Sequence, residues 1–357
     1  MFVLKYLLWP LACIYNLATQ IRNHLYDIGH KKSFQFDTVV ISVGNLNVGG
    51  SGKTPMIEYL IRLMIDRYQL ATLSRGYGRK TQGIRIASDG DNARTLGDEP
   101  FQLMRKFGDK IKVVVGEERA LAIPTILHQH ADVQIILMDD AFQHRTVKPQ
   151  FSILVTDYGK PFYEDHTLPM GRLREARKGA GRADVIVVTK ADGITAIEME
   201  TVTHHIKKIV GDKRIFFSGL VYQQPLSIQH QNAIGKKVVL VSGIAKNTHF
   251  EKEVSKLYEV IRHFRFEDHH VYTKTDIQHI QQAADKQQVA SILTTEKDMV
   301  KLIARQLLPL LENKNWFYLP VRAFFIKDGM HFDELVVRLV EDKLSEFSSA
   351  KNTAPQN

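Results

Sequence analysis

The chain has 357 residues, 48 Lys+Arg against 39 Asp+Glu, a formal charge of +9 and a single Cys. That length suffices for two domains with real cores, and apolar (44%) and charged (24%) fractions of ordinary size exclude wholesale disorder and a polytopic membrane protein. One Cys excludes an internal disulfide and a thiolate metal cluster, and the basic excess points to an acidic partner such as nucleic acid, phospholipid or a phosphorylated metabolite.

Residues 1–21 are apolar apart from Lys5, Pro10, Asn16, Thr19 and Gln20, and Arg22, His24, Lys31 and Lys32 follow. A spanning helix needs about 20 mostly apolar residues, so the segment is borderline; Pro10 would kink it and Lys5 would have to snorkel. A signal peptide is one reading, with a faint lipoprotein-like Leu11-Ala12-Cys13, but its basic region would hold only Lys5. A core helix is another. The reading preferred is a membrane-associating helix over 1–30 that meets a membrane surface with basic flanks.

Residues 37–46 then read as a buried strand and 55–69 as an amphipathic helix. Between them lies Gly49-Gly50-Ser51-Gly52-Lys53-Thr54. Glycines let backbone N–H groups wrap a phosphate without Cβ obstruction, Lys neutralises the β/γ-phosphates and Thr ligates Mg²⁺. Pro55 suits a first helical turn. The strict pattern wants Gly six residues before the Lys, where this chain has Asn47. Asn47, Val48, Gly49, Gly50, Ser51, Gly52, Lys53 and Thr54 are the expected nucleotide-binding set, with ATP and Mg²⁺ as cofactors.

Short apolar runs with polar or Gly ends recur at 70–76, 111–117, 133–142, 151–157 and 184–192. Alternating with helical patterns, they predict an α/β fold with a doubly wound, mostly parallel sheet of the P-loop NTPase type. The 133–142 run ends in Asp139-Asp140, carboxylates on the same strand rim as the phosphate loop and suited to hold Mg²⁺. Runs at 238–244, 291–298 and 316–325 suggest a second, smaller α/β domain, with the Gln- and Gly-rich stretch 218–237 as the junction. The expected division is 31–225 for the catalytic domain, 226–345 for the smaller one, and 346–357 for a disordered tail.

The block from Gly44 to Pro55 resembles the phosphate loop of the tetraacyldisaccharide 4'-kinases, the lipid A kinases of Gram-negative bacteria. The resemblance continues in order through Ser74-Arg75-Gly76-Tyr77-Gly78-Arg79, Gly97-Asp98-Glu99-Pro100, Asp139-Asp140-Ala141-Phe142-Gln143-His144 and Leu168-Pro169-Met170-Gly171-Arg172-Leu173-Arg174-Glu175. It ends with Phe266-Glu267-Asp268-His269-His270 and Thr295-Glu296-Lys297-Asp298. Two positions depart from the family's usual pattern: Ala141 stands for Gly and Asn47 for Thr.

The resemblance implies ATP-dependent transfer to the 4'-hydroxyl of an acylated glucosamine disaccharide 1-phosphate, at the cytoplasmic face of the bacterial inner membrane. It implies that Asp98 is the catalytic carboxylate, that His269 from the smaller domain pairs with it, and that Lys53 acts on the transferred group. A sugar hydroxyl needs such a base. Arg75, Arg79, Arg172 and Arg174 lie in Gly-rich or Pro-bounded loops, where guanidinium forks suit the γ-phosphoryl group or the substrate's 1-phosphate. Glu175 is expected to help hold Mg²⁺ or the arginines. A monomer is expected.

The alternative is a GTPase or metallochaperone-type switch, because Thr189-Lys190-Ala191-Asp192 is close to a guanine-reading Asn-Lys-x-Asp element. A nucleotide-binding scaffold without chemistry would not need Asp98 and His269 together. The histidines at 204/205, 269/270 and 279 lack regular ligand spacing. No basic–aromatic module suggests nucleic-acid binding, which is not expected.

Overall fold

The computed structural model describes residues 7–229, 233–244, 247–268, 270–304 and 306–353; for Thr248, His249 and residues 351–353 only the backbone course is described. Val39–Gly44 (β1) is apolar and buried at nearly every position, as a strand covered on both faces requires. It lies in the middle of a nine-stranded sheet. Leu70–Ser74 (β2), Ile111–Val115 (β4), Ile135–Asp139 (β5), Phe151–Asp157 (β6), Val185–Thr189 (β7) and Arg214–Tyr222 (β8) run parallel to it. The short Arg85–Ile86 (β3) and Val321–Lys327 (β14) pair antiparallel at the two edges. The order β14-β8-β7-β6-β1-β5-β2-β4-β3 places β5 and β6 on opposite sides of β1. Successive connections therefore diverge at the C-terminal end of β1, where a ligand crevice forms in such sheets.

Helices Lys53–Met64 (α2), Ala93–Leu96 (α3), Asp98–Phe107 (α4), Arg119–Gln129 (α5) and Ala196–Val210 (α6) link these strands. The inward residues of α2, among them Met56, Ile57, Leu60 and Ile61, are fully buried against Val39, Ile41 and Ile135. Burying such side chains contributes about 1.5–3 kcal/mol each.

A second sheet, of five strands, is built from Leu226–Ser227 (β9), Lys237–Ser242 (β10), Glu259–Arg265 (β11), Ser291–Thr295 (β12) and Asn315–Leu319 (β13) in the order β11-β10-β12-β13-β9. Asn247–Val254 (α7), Lys274–Lys286 (α8) and Glu296–Leu302 (α9) accompany it. Its own core holds Val239, Ile277, Ile292 and Trp316.

The expected boundaries need correction at three places. The run 316–325 is two strands, because Pro320 lacks the N–H that a continuous ladder needs; β13 ends before it, and β14 begins after it in the first sheet, opposite β8. Gly329–Thr353 (α10) follows β14 back, and Phe332, Val336 and Val340 are fully buried beside Ile41 and Met56. The smaller unit thus ends near residue 319 rather than 345, and residues 346–353 are helical rather than a disordered tail; residues 354–357 lie outside the described residues. Residues 218–222 belong to β8, so the junction between the sheets starts only at Gln223.

Trp9–Asp27 (α1) opens the described chain, with Trp9, Leu11, Ile14, Leu17 and Ile21 each more than half exposed. Residues 1–6 lie outside the described residues. Among the described residues no helix is long and apolar enough to cross a membrane.

The return of α10 to the first sheet carries a stability consequence. The Phe332 ring lies 4.4 Å from Phe325, 5.2 Å from Phe216 and 6.1 Å from Tyr59. Phe332→Ala should cost about 3–5 kcal/mol in urea-induced unfolding. A cost under about 1 kcal/mol would show that α10 is not part of that core.

Candidate functional site

Residues 45–52 connect β1 to α2. Gly49 (φ 109°) and Gly52 (φ 86°) occupy backbone conformations that other residues rarely adopt. Gly44 is needed for a different reason: a Cβ there would lie 2.6 Å from Phe142 Cβ. The loop is gripped from both sides. On one side Val48 N–H donates to the Arg172 carbonyl (2.8 Å) and Asn47 Nδ2 to Asp165 Oδ2 (2.9 Å). On the other, Thr189 Oγ1 donates to the Ser51 carbonyl (2.7 Å), and Lys190 Nζ donates to the Gly50 carbonyl and pairs with Asp157 at 2.9 Å.

Thr189 and Lys190 thus hold the phosphate loop, and Asp192 Oδ1 accepts from Leu220 N–H at 2.9 Å. The element that suggests guanine reading is engaged here in loop and strand support.

The charged groups sit on the same rim. Lys53, 9% exposed, has Nζ 3.4 Å from Asn45 Oδ1 and 3.5 Å from Asp140 Oδ1. Arg174 Nη1 donates to that Asp140 oxygen at 2.8 Å. Asp139 ends β5 opposite Val43 of β1, which brings it beside the loop. Burial, then repulsion from Glu99, pushes its carboxyl up to about 7 against the pull of Lys53. Burial also acts upward on Asp140, but Lys53 and Arg174 outweigh it and hold that carboxyl below its ordinary value.

Asp98 is the first residue of α4, and Gly97 before it (φ 95°) has no room for a Cβ, which would lie 2.8 Å from the Tyr77 carbonyl. Glu99, the next residue of α4, is within electrostatic range of Asp139 at the end of β5. His269 lies outside the described residues; its neighbours Asp268 and His270 are held by Lys297 (3.0 Å) and Asp276 (3.1 Å).

The arginines separate into different uses. Arg75 is exposed on the loop after β2, close enough to Arg119 to lower its pKa. Arg79 pairs with Glu117 and donates to the Gly83 carbonyl (2.6 Å), tying two rim loops together, while its Nε and Nη1 are buried with no hydrogen-bond partner among the described residues. Arg172 Nε pairs with Asp165 at 3.0 Å.

Glu175 is wholly buried; Oε1 accepts from Gln143 (3.1 Å) and Arg182 (2.7 Å), and Oε2 from Asn23 of α1 (2.6 Å).

Arg119 escaped the sequence reading. It is 1% exposed as the first residue of α5, and its Nη1 donates to the Gly116 (2.9 Å) and Glu117 (3.0 Å) carbonyls. Burial and the nearby Arg75 bring it down to about 10, opposed by Asp140 and Asp139. Its position at the start of the helix that follows an apolar strand, on the rim shared with Asp139, was the available signal.

This donor set fits a nucleotide and one divalent cation. Ser51 Oγ and Asp139 Oδ1 are buried with no hydrogen-bond partner among the described residues, and a Cβ at Gly49 or Gly50 would meet nothing within 4 Å, so the loop's outer face is open. Mg²⁺ typically takes one or two carboxylates and completes its shell with phosphate oxygens and water. Asp139, Asp140 and the Thr54 hydroxyl can supply that protein share, and among the described residues no group of three or more His, Cys, Asp or Glu forms a metal cage by itself.

A family model described as tetraacyldisaccharide-1-P 4'-kinase matches residues 4–341. The chain is 40% identical over 347 residues to the tetraacyldisaccharide 4'-kinase of Flavobacterium johnsoniae, covering 96% of this chain and 99% of the relative. It is 38% identical over 353 residues to that of Parabacteroides distasonis, covering 95% of each. The crystal structure of LpxK from Aquifex aeolicus in complex with ATP aligns with a TM-score of 0.74 at 27% identity, over 94% of this chain and 99% of that one.

The grip on the phosphate loop can be tested at Thr189. Thr189→Val keeps the side-chain volume but removes the hydroxyl that holds the Ser51 carbonyl, and should weaken nucleoside triphosphate binding about tenfold. Calorimetric titration measures it, and an unchanged Kd would mean that the loop keeps its shape without this bond.

Proposed function

The chain belongs to the tetraacyldisaccharide-1-P 4'-kinase family, and from that membership we propose its reaction and the division of labour among its residues. The protein is an ATP-dependent kinase that transfers the γ-phosphoryl group to the 4'-hydroxyl of a tetraacylated glucosamine disaccharide 1-phosphate, a step of lipid A biosynthesis. The observation that carries the reading is the pre-formed phosphate loop facing the buried, hydrogen-bond-poor Asp139 carboxylate.

Magnesium-bound ATP supplies the phosphoryl group and neutralises part of its charge. Backbone N–H groups of residues 49–52 and the Ser51 hydroxyl hold the phosphate chain, Asn47 and Val48 brace that stretch from its N-terminal side, and Lys53 places a cation against it. Thr54 with Asp139 and Asp140 holds the metal. Arg174, fixed by Asp140, adds positive charge at the rim, and Arg75 and Arg119 extend that charge towards the acceptor's 1-phosphate or the group in transit. Arg79 and Arg172 act on the loops that frame the site, since their forks already engage Glu117 and Asp165. Asp98 accepts the proton of the 4'-hydroxyl, and His269 pairs with it. Positioning and electrostatics then account for most of the rate, as phosphoryl transfer allows.

The apolar residues exposed along α1 support a membrane surface as the second partner. The substrate's acyl chains lie in such a surface, so α1 brings the rim to the lipid at the cytoplasmic face of the inner membrane, where ATP is present. One chain carries every residue named, so a monomer suffices. The guanine-nucleotide switch loses ground because Thr189, Lys190 and Asp192 are committed to the loop and to β8. ATP should therefore displace a labelled ATP analogue far better than GTP does.

Kinetics of purified variants on ATP and the acylated disaccharide 1-phosphate test the roles. Asp98→Ala should lower turnover by about 10²–10⁴ with ATP affinity nearly intact, and Lys53→Ala should damage both. Wild-type turnover in Asp98→Ala would refute the base assignment.

A further inference from the structure

Three helices that open at functional blocks meet in one buried charge cluster away from the rim. Glu58 lies in the second turn of α2, Lys106 in the last turn of α4, and Glu296 begins α9 of the smaller unit. Lys106 Nζ donates to both Glu58 oxygens (2.8 and 2.7 Å) and lies 2.5 Å from Glu296 Oε1. Gln102 Nε2 donates to Glu58 Oε1 at 2.9 Å, Arg62 lies 3.7 Å from Glu58, and Val321 N–H donates to Glu296 Oε2 at 3.3 Å. The side chains of Glu58, Glu296 and Lys106 are 4%, 5% and 14% exposed.

Burying three charges costs about what their attraction returns, so such a cluster contributes little net stability; in several systems its value lies in fixing one geometry. The geometry fixed here is that of the smaller unit against the helix that starts at Asp98. The residues after Glu296 extend the link: Lys297 pairs with Asp268 at 3.0 Å, and Asp298 Oδ2 accepts from Gly243 N–H at 2.8 Å. Apolar contact crosses the same seam, where Met299 and Val300 of α9 pack on Leu96 and Phe101, but it is the charged cluster that fixes polar atoms at defined distances. An open cavity of about 460 Å³, lined by Lys106, Glu296, Tyr318 and Arg322 among others, adjoins the cluster.

We propose that Lys106 and Glu296 are positioning residues, whose ion pair, anchored on Glu58, sets the smaller unit against the Asp98 helix and thereby governs turnover but not nucleotide affinity. The turnover part rests on the kinase reading; the positional part rests on the cluster alone. Glu296→Gln, which keeps the shape and an acceptor for Val321, should lower kcat about tenfold while the KM for ATP and the melting temperature stay near wild type. Lys106→Met should do the same or worse, Lys106→Arg should restore most of the loss, and the Lys106→Met/Glu296→Gln double variant should be no slower than the slower single one.

Full kcat in Glu296→Gln, or single losses that multiply in the double variant, would overturn the proposal. The positional readout uses full-length protein in a Cys13→Ser background with spin labels at Ile197→Cys and Leu257→Cys, exposed sites in the two units. Glu296→Gln should broaden or displace the inter-label distance distribution, and an unchanged distribution would overturn the proposal even if no turnover were measurable. Absence of transfer by the wild type would sink the kinase reading and leave the distance result standing.

Discussion

The site depends on how the backbone of residues 45–52 is held. A glycine-rich loop has more conformations to lose than any other segment, and it binds phosphate well only when that entropy is lost before the ligand arrives. Here the loss is met by neighbours rather than by ligand. The Arg172 carbonyl and Asp165 fasten Val48 and Asn47, while Thr189 and Lys190 fasten the Ser51 and Gly50 carbonyls. The anchors lie at the C-terminal end of β7 (Thr189, Lys190) or in the connection from β6 to β7 (Asp165, Arg172), so sheet order and loop shape are one constraint.

The same rim tolerates buried charge because opposite charges arrive together. Asp140 lies between Lys53 and Arg174, and Arg119 counts Asp139 and Asp140 among its neighbours. Asp139 is the exception: it is buried, raised, and has an oxygen without a hydrogen-bond partner among the described residues. A group left in that condition is costly unless something arrives to satisfy it, and a divalent cation is the chemically apt visitor.

Much of this was legible in the sequence, for physical reasons. Parallel strands buried on both faces must be continuous apolar runs, and β1, β2, β4, β5, β6 and β7 all read that way. The phosphate loop was legible because φ of 109° and 86° strongly favours glycine. What escaped depended on partners distant in the chain. The donors that meet Glu175, from Asn23, Gln143 and Arg182, come from three separate stretches of the chain, and Arg119 looks like an ordinary helix residue until burial places it at the rim. Pro320 carried a signal that the reading of 316–325 as one strand passed over. Asn47, a departure from the family's usual residue, binds Asp165 here, and Ala141 is buried in an apolar cluster, so both fit their places.

The most direct test of the account is product analysis with purified full-length protein, magnesium, ATP and the tetraacylated disaccharide 1-phosphate in mixed micelles. Mass spectrometry should show the lipid gaining one phosphate, and proton–phosphorus correlation NMR should place it on the 4' carbon. A lipid that stays unmodified while ATP is consumed, or a phosphate correlated with any other sugar position, would contradict it.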